Sequence, residues 1–372
     1  MVKKITTLVI FTLLSFGVFG QDQFAMAEID TLSVKSDRLY LDVDFNLNFD
    51  NTEYSGSGLG NSETLFGITL TPALRYEWNG VHSLGFGVSG QKWFGSTRFL
   101  DDIDLVAYYQ FRNENYGAVA GLFQRNKLIG RYSGAFFSNS WLADNNIVQG
   151  LALQYNDKVG FVEMAMDWNG MFSATTREQF YALVSGEGHF AKVLYAGASA
   201  EMHHYSQRAD MERGVVDTFL LNPYIGANFK AFFDFDIRLG YLQAFQRDRY
   251  TRSGWINPMG GELLFRMSRW GVFISNNLYM GNNLLPLYNI VAWEGTIYGA
   301  DLYASDPFYG TTTGIYNRTG IGYERNFWKE RIKVKGEMVL KTVGKKLYYQ
   351  QLVSLGVNID PKLYDKNNKR NK

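Results

Sequence analysis

Alternation with a period of two is the feature that most limits what this chain can fold into. Leu39, Leu41, Val43, Phe45 and Leu47 alternate with Tyr40, Asp42, Asp44 and Asn46. Phe66, Ile68, Leu70, Leu74, Tyr76 and Trp78 alternate with Thr69, Thr71, Arg75 and Glu77, and Asn79-Gly80 follows at once, a strong two-residue hairpin signal. Ile332, Val334, Met338 and Leu340 alternate with Lys333, Lys335, Glu337 and Lys341. Successive side chains of a strand point to opposite faces, so each segment is a ribbon with one apolar side. Sixteen such segments follow one another: 39–47, 65–78, 81–94, 101–112, 116–124, 147–155, 159–168, 177–187, 191–205, 216–229, 233–247, 255–266, 270–280, 314–324, 331–342 and 346–359.

The connections fall into two classes. Those after even-numbered segments are 79–80, 113–115, 156–158, 188–190, 230–232, 267–269 and 325–330. Those after odd-numbered segments are 48–64, 95–100, 125–146, 169–176, 206–215, 248–254, 281–313 and 343–345. A soluble β-sandwich has no reason to gather its long loops at one end. An outer-membrane barrel has short periplasmic turns, longer outside loops and an even strand number.

Charge sorting points the same way. On the apolar parity the charges are Lys92, Asp101, Glu178, Lys192, Asp217 and Arg247, all close to segment ends. A charge at the bilayer midplane costs ~2–4 kcal/mol, so lipid-facing positions should read this way. The opposite parity carries many more charges, among them Asp104, Glu163, Asp167, Glu201, Asp236, Arg238, Arg318 and Lys335. Aromatic residues collect at both ends of the lipid parity. Tyr76, Trp78, Phe111, Phe229, Phe235, Phe265, Trp270 and Tyr323 fall at the periplasmic ends, and Phe66, Trp168, Phe180 and Trp255 at the outer ends. Amphipathic rings favour the two membrane interfaces. In lipid every backbone N–H and C=O must pair, and a sheet achieves that only by closing on itself. The expectation is an all-β, transmembrane, antiparallel up-and-down β-barrel of about sixteen strands. Pro72, Pro223 and Pro258 fall inside the segments, where a missing N–H predicts bulges or strand ends nearby. Leu242, Leu264 and Leu352 sit on the polar parity and mark candidate register slips.

The remaining features set location and exclude function classes. Lys3 and Lys4, the apolar run Ile5 to Val18 and a small residue at Gly20 read as a secretory signal peptide over 1–20. A short periplasmic segment 21–38, the barrel 39–359 and a polar C-terminal tail 360–372 complete the expected organisation. Sec-type export to the cell outer membrane follows. The chain has no Cys, which excludes disulfides, Cys-ligated metals and lipid attachment through Cys. Its net charge of +1 gives no reason to propose a nucleic-acid partner. No metal or cofactor is expected. His203 and His204 are adjacent, so on a strand they face opposite sides.

At this point the chain resembles the porin-like outer-membrane β-barrels of Gram-negative bacteria over roughly 39–359. The resemblance rests on signal peptide, amphipathic segments, girdles and loop asymmetry rather than on a short motif. It implies a channel for passive diffusion of small hydrophilic solutes, saccharides among them, set in outer-membrane lipid and often assembled as a homotrimer. Such barrels commonly end on an aromatic residue read by the assembly machinery. This chain ends at Lys372, so that signal would lie internally, in Tyr349 to Ile359.

Selectivity then belongs to the lumen and to any infolded loop. The pore-lining candidates are Arg318, Lys333, Lys335 and Lys341 on one wall and Glu163, Asp167, Glu187 and Glu201 half a circumference away. That arrangement reads either as a transverse field across the pore or as wall salt bridges with no filtering role. Loop 125–146 offers Arg125, Lys127, Arg131, Tyr132, Trp141 and Asp144 as constriction-loop candidates, since cationic and aromatic groups suit sugar stacking and hydroxyl bonding. The same aromatics would also serve as anchors on the barrel wall. Loop 281–313, with Leu284, Leu285, Pro286, Trp293, Tyr298 and Tyr303, is too apolar to stand free in water and is the second candidate plug. Of the two, 125–146 is preferred, because porins fold their third outer loop inward. An adhesin or scaffold barrel is the alternative function. A barrel hydrolase is a further one, and no catalytic residue is assigned: His203 would need a carboxylate and a Ser within hydrogen-bond reach, with Ser206, Asp210 and Asp217 nearby in sequence. The chain is not expected to be an enzyme.

Overall fold

β-branched and aromatic residues on alternate positions form the strands expected of them. In a computed structural model the described residues are 37–55, 62–206, 215–249, 254–289, 303–310 and 314–365. The signal peptide, most of segment 21–38, Asp210, Trp293, Tyr298 and the tail from 366 lie outside the described residues. The strands are β1 (Arg38–Glu53), β2 (Glu63–Trp78), β3 (His82–Trp93), β4 (Asp102–Arg112), β5 (Tyr116–Gln124), β6 (Ile147–Asn156), β7 (Gly160–Gly170) and β8 (Gln179–His189). They continue as β9 (Leu194–Tyr205), β10 (Val216–Lys230), β11 (Asp234–Asp248), β12 (Met259–Arg269), β13 (Val272–Gly281), β14 (Gly314–Phe327), β15 (Ile332–Val343) and β16 (Lys346–Ile359).

Each strand pairs antiparallel with the next, and β16 returns to β1 from Val43↔Ile359 to Glu53↔Tyr349, which closes the barrel. A short β17 (Lys362–Asp365) carries the line of β16 onward and pairs with Arg38 to Tyr40. The outer surface is apolar at mid-strand: Phe86 is 65% exposed, Met164 55% and Leu239 59%. So wide an apolar band has no place in water and matches the hydrocarbon region. Rings pair along both rims, Tyr76 stacking on Trp78 at 5.9 Å and Trp168 on Phe180 at 5.0 Å. The chain is an outer-membrane β-barrel. Among the described residues no helix is long and apolar enough to cross a membrane.

The prolines produce a different result from the bulges expected. Pro258 does precede the first residue of β12. At Pro72 and Pro223, however, the register runs on unchanged and the ladder merely loses pairs on one side, from Leu70↔Gly90 to Ala73↔Gly87 and from Leu221↔Gln243 to Tyr224↔Gly240. Side chains fill the gaps. Thr71 Oγ1 donates to Ser89 Oγ at 2.8 Å, and Asn222 Nδ2 donates to the Tyr241 carbonyl at 3.3 Å, the acceptor opposite Pro223. Leu242, Leu264 and Leu352 mark no register slip either. Leu242 is fully buried within the apolar core of the lumen, and the other two line internal cavities.

Candidate functional site

The lumen is largely filled by its own outer loops. From β5 the chain turns through a single 3₁₀ turn at Arg125–Lys127 and descends along the wall of β7, β8 and β9. Buried carboxylates and hydroxyls on that wall need donors and acceptors, and the loop backbone supplies them. Glu163 accepts from the Ile129 amide at 2.6 Å, the Gly130 amide at 2.9 Å and Gln154 Nε2 at 2.8 Å. Arg131 NH donates to Ser185 Oγ at 3.0 Å, while Ser199 Oγ donates to the Arg131 carbonyl at 2.5 Å. Its guanidinium reaches Glu187 at 2.7 Å and Asp236 at 3.3 Å. Arg125 pairs with the fully buried Asp167. Because Glu163 and Glu187 lie near the periplasmic ends of β7 and β8, the loop reaches deep into the barrel before turning back.

Ser138 then caps a short helix, α1 (Asn139–Asp144), by accepting from the Trp141 amide at 3.1 Å. The helix crosses the lumen. At one side Trp141 stacks on Phe137 at 4.8 Å and meets Tyr181 edge-on at 5.7 Å. At the other, Ser140 Oγ donates to Asp50 at 3.3 Å and Gln91 Nε2 to Asp144 at 3.3 Å.

The described parts of loop 281–313 pack into the outer mouth. Leu284, Leu285, Leu287, Tyr288, Phe308 and Tyr309 are buried. Tyr288 Oη meets His203 Nδ1 at 2.7 Å, and the Leu287 amide donates to Gln246 Oε1 at 3.0 Å. Lys341 Nζ donates to both oxygens of Asp306, at 2.7 and 2.9 Å. The two loops also interlock: the Asp306 amide donates to the Gly134 carbonyl at 2.8 Å, the Ser138 amide to Ala304 at 2.7 Å, and Ser305 Oγ to Ala135 at 2.6 Å.

Two spaces remain. A cavity of about 470 Å³ follows the wall from β15 across β16 and β1 to β2, facing α1. It reaches from Glu330 and Arg331 in a periplasmic turn to Asp50 and Trp93 near the outer rim. Rungs that run from a lysine to an asparagine line it, with Lys335, Ser354 and Asn48 in register on neighbouring strands, and Lys333, Gly356 and Asn46 one rung on. A second cavity of about 510 Å³ lies against β11 to β15 under the interlocked loops. Asn139, Leu142 and Lys335 border both.

The candidate residues thus separate into three groups. Lys333 and Lys335 face open space, Lys335 also pairing with Glu337 at 2.8 Å. Arg318 borders the second cavity and lies 3.4 Å from the same carboxylate. Lys341, Glu163, Asp167 and Glu187 hold the loops, as do Arg125 and Arg131 from the loop side. Lys127 donates to Gln110 Oε1 at 3.2 Å, and Tyr132 packs on Phe136 at 5.6 Å. Glu201 is buried, and its Oε2 has no partner. Residues that the sequence reading did not single out as site residues include Asn46, Asn48, Asn139, Leu142 and Asp306. The Asn46–Asn48 alternation with Leu47 was a readable signal for the lumen face. Asp306 carried none, because its partner is on a distant strand.

His203 and His204 diverge as adjacent strand residues must. His203 faces inward to Tyr288. His204 faces outward, and its Nδ1 lies 3.1 Å from Asp217 Oδ1, whose other oxygen accepts from Arg249 Nε at 2.7 Å. Ser206 follows two positions on, its amide donating to the Glu178 carbonyl at 2.8 Å in continuation of the ladder.

A family model described as lipid A 3'-O-deacylase-type matches residues 29–251. No curated protein matches. Solved structures similar to this chain include Pseudomonas aeruginosa OpdL, at 11% identity and a TM-score of 0.47, with 88% of this chain and 99% of that chain covered. Pseudomonas aeruginosa OpdO is similar at 12% identity and a TM-score of 0.48, covering 88% and 98%. The Pseudomonas aeruginosa outer membrane protein opdK is similar at 8% identity and a TM-score of 0.46, covering 87% and 99%.

Proposed function

The chain belongs to the lipid A 3'-O-deacylase-type family, and we propose that it works as an outer-membrane channel for passive diffusion of small hydrophilic solutes, saccharides among them. One observation carries this reading. The cavity along β15, β16, β1 and β2 runs past the infolded loop from the periplasmic turn at Arg331 to the outer half at Asp50. Its lining mixes amides and hydroxyls such as Asn46, Asn48 and Ser354 with carboxylates and lysines, so it both donates and accepts, which suits a solute rich in hydroxyls. The test is conductance of the purified protein in planar bilayers, with and without oligosaccharides. Discrete current steps that oligosaccharides reduce are the expected result. A silent bilayer overturns the proposal.

A second reading is favoured by the outward pair of His204 and Asp217 together with the family. In a hydrolase of this kind Asp217 would hold the imidazole through Nδ1, leaving Nε2 to take the Ser206 proton as the hydroxyl attacks an ester carbonyl. Nε2 would return that proton to the departing alcohol oxygen as the ester bond breaks, and water, deprotonated by the same nitrogen, would then release the acyl group from the serine as free fatty acid. The lipid-side position at the outer rim fits an acyl ester of an outer-leaflet lipid such as lipid A. Mass spectrometry of lipid A incubated with the protein decides: fatty acid released by wild type and not by Ser206→Ala supports this reading, and intact lipid A removes it.

A further inference from the structure

Charged groups in a low-dielectric interior are expected to be paired, because a lone buried ion is costly. Around the second cavity this rule holds with one exception. Arg131 pairs with Glu187 and Asp236, Arg266 with Glu324, and Arg318 with Glu337. Arg238, on β11, is 7% exposed and borders the same space. Among the described residues its guanidinium donates no hydrogen bond and meets no carboxylate at ion-pair distance. It lies over the Tyr224 ring at 4.7 Å, a contact that uses the face of the guanidinium and leaves its edge N–H donors unspent. Glu262 feels its charge but gives its own carboxylate to Tyr309 and Asn277.

The rest of the lining favours an anion. Arg131, Arg238, Arg266, Arg318 and Lys335 stand against Asp236, Asp306 and Glu337, and all three acids are already engaged by cations. Ser275 and Asn277, alternate residues of β13, add neutral polar atoms on the same wall, the Asn277 Oδ1 having no partner, and Tyr309 and Phe308 add aromatic surface under the loops. A planar carboxylate matches the guanidinium fork in a way that chloride cannot. Hydroxyls attached to that carboxylate would find the amide and serine groups.

We propose that this cavity of about 510 Å³ is a carboxylate-binding subsite centred on Arg238, which takes a small polyhydroxylated organic acid of uronate size. The subsite rests on the channel reading only for its purpose: it would retain anionic solutes beside the polar path, at the border formed by Asn139, Leu142 and Lys335.

The test compares glucuronate with glucose, which differ at C6 by a carboxylate in place of a hydroxymethyl group. Calorimetric titration of the detergent-solubilised full chain should show glucuronate binding at least about tenfold tighter than glucose, and Arg238→Gln should erase that difference while Arg238→Lys restores part of it. Equal affinity for the two probes in wild type overturns the subsite, whether or not any variant folds. So does an unchanged preference in Arg238→Gln. Planar bilayers separate this result from the channel reading. Conducting protein without glucuronate preference removes the subsite and keeps the channel. A silent bilayer with glucuronate preference removes the channel and keeps the subsite.

Discussion

Glu163 shows how much a single side chain can organise here. Three donors converge on it, two of them consecutive amides of a loop that begins some forty residues away in sequence. Glu163→Gln replaces one acceptor oxygen with a donor and faces at least one N–H with another N–H. The expected cost is about 1–3 kcal/mol, taken by the loop rather than by the barrel. It should appear as faster protease cutting near 129–131 with unchanged strand content by circular dichroism. The inward direction of Glu163 was readable from parity alone. Its partner was not, since a strand pattern says which face a carboxylate occupies and nothing about which loop comes to meet it. Lys333 is the converse case. It borders the polar path and has no ion-pair partner among the described residues. Replacing Lys333 and Lys335 by Gln should move the reversal potential in a salt gradient toward cation preference. An unchanged potential would place the conducting path elsewhere.

Elements were more legible than their interactions. All sixteen amphipathic segments are strands, because a lipid-facing side chain must be apolar whatever it touches, so the pattern needs no knowledge of neighbours. The prolines were harder. A missing donor announces a break, but Asn222 bonds the carbonyl opposite Pro223 and Thr71 ties its hydroxyl to Ser89 across the gap at Pro72, and that compensation depends on the opposite strand. Loops were hardest, since α1 has six residues and owes its helix to the Ser138 cap and to packing on Tyr181. Replacing 129–138 by a short Gly-Ser link should therefore leave the barrel assembled and raise unitary conductance severalfold, as the cross-section opens. Conductance equal to wild type would show that the loop does not narrow the path.

At the scale of the whole molecule, the pair of Asp306 with Lys341 ties the loops to the wall of β15. Burial works to raise the Asp306 carboxyl, but the Lys341 ammonium and the Arg318 guanidinium overcome it and hold it below its ordinary value. A lowered carboxylate contributes stability above its unfolded pKa and loses it as pH falls through the folded value. The loops should thus stay seated at neutral and mildly acid pH, and larger, noisier currents should appear only below the ordinary Asp range near 3.8. Asp306→Asn should give those currents at pH 7, because it strands a buried ammonium at a local cost of roughly 3–5 kcal/mol. Quiet currents from that variant would show that the ion pair is not what seats the loops.

The knot of hydrogen bonds between Gly134–Ser138 and Ala304–Asp306 joins segments that spring from well-separated sectors of the wall. With α1 reaching Asp50 and Asp144 reaching Gln91, it forms a tie-beam across the tube. A hollow cylinder flattens easily under lateral pressure from crowded lipid; one strutted across its diameter must shear those bonds first, so the bore keeps its roundness for as long as the beam holds.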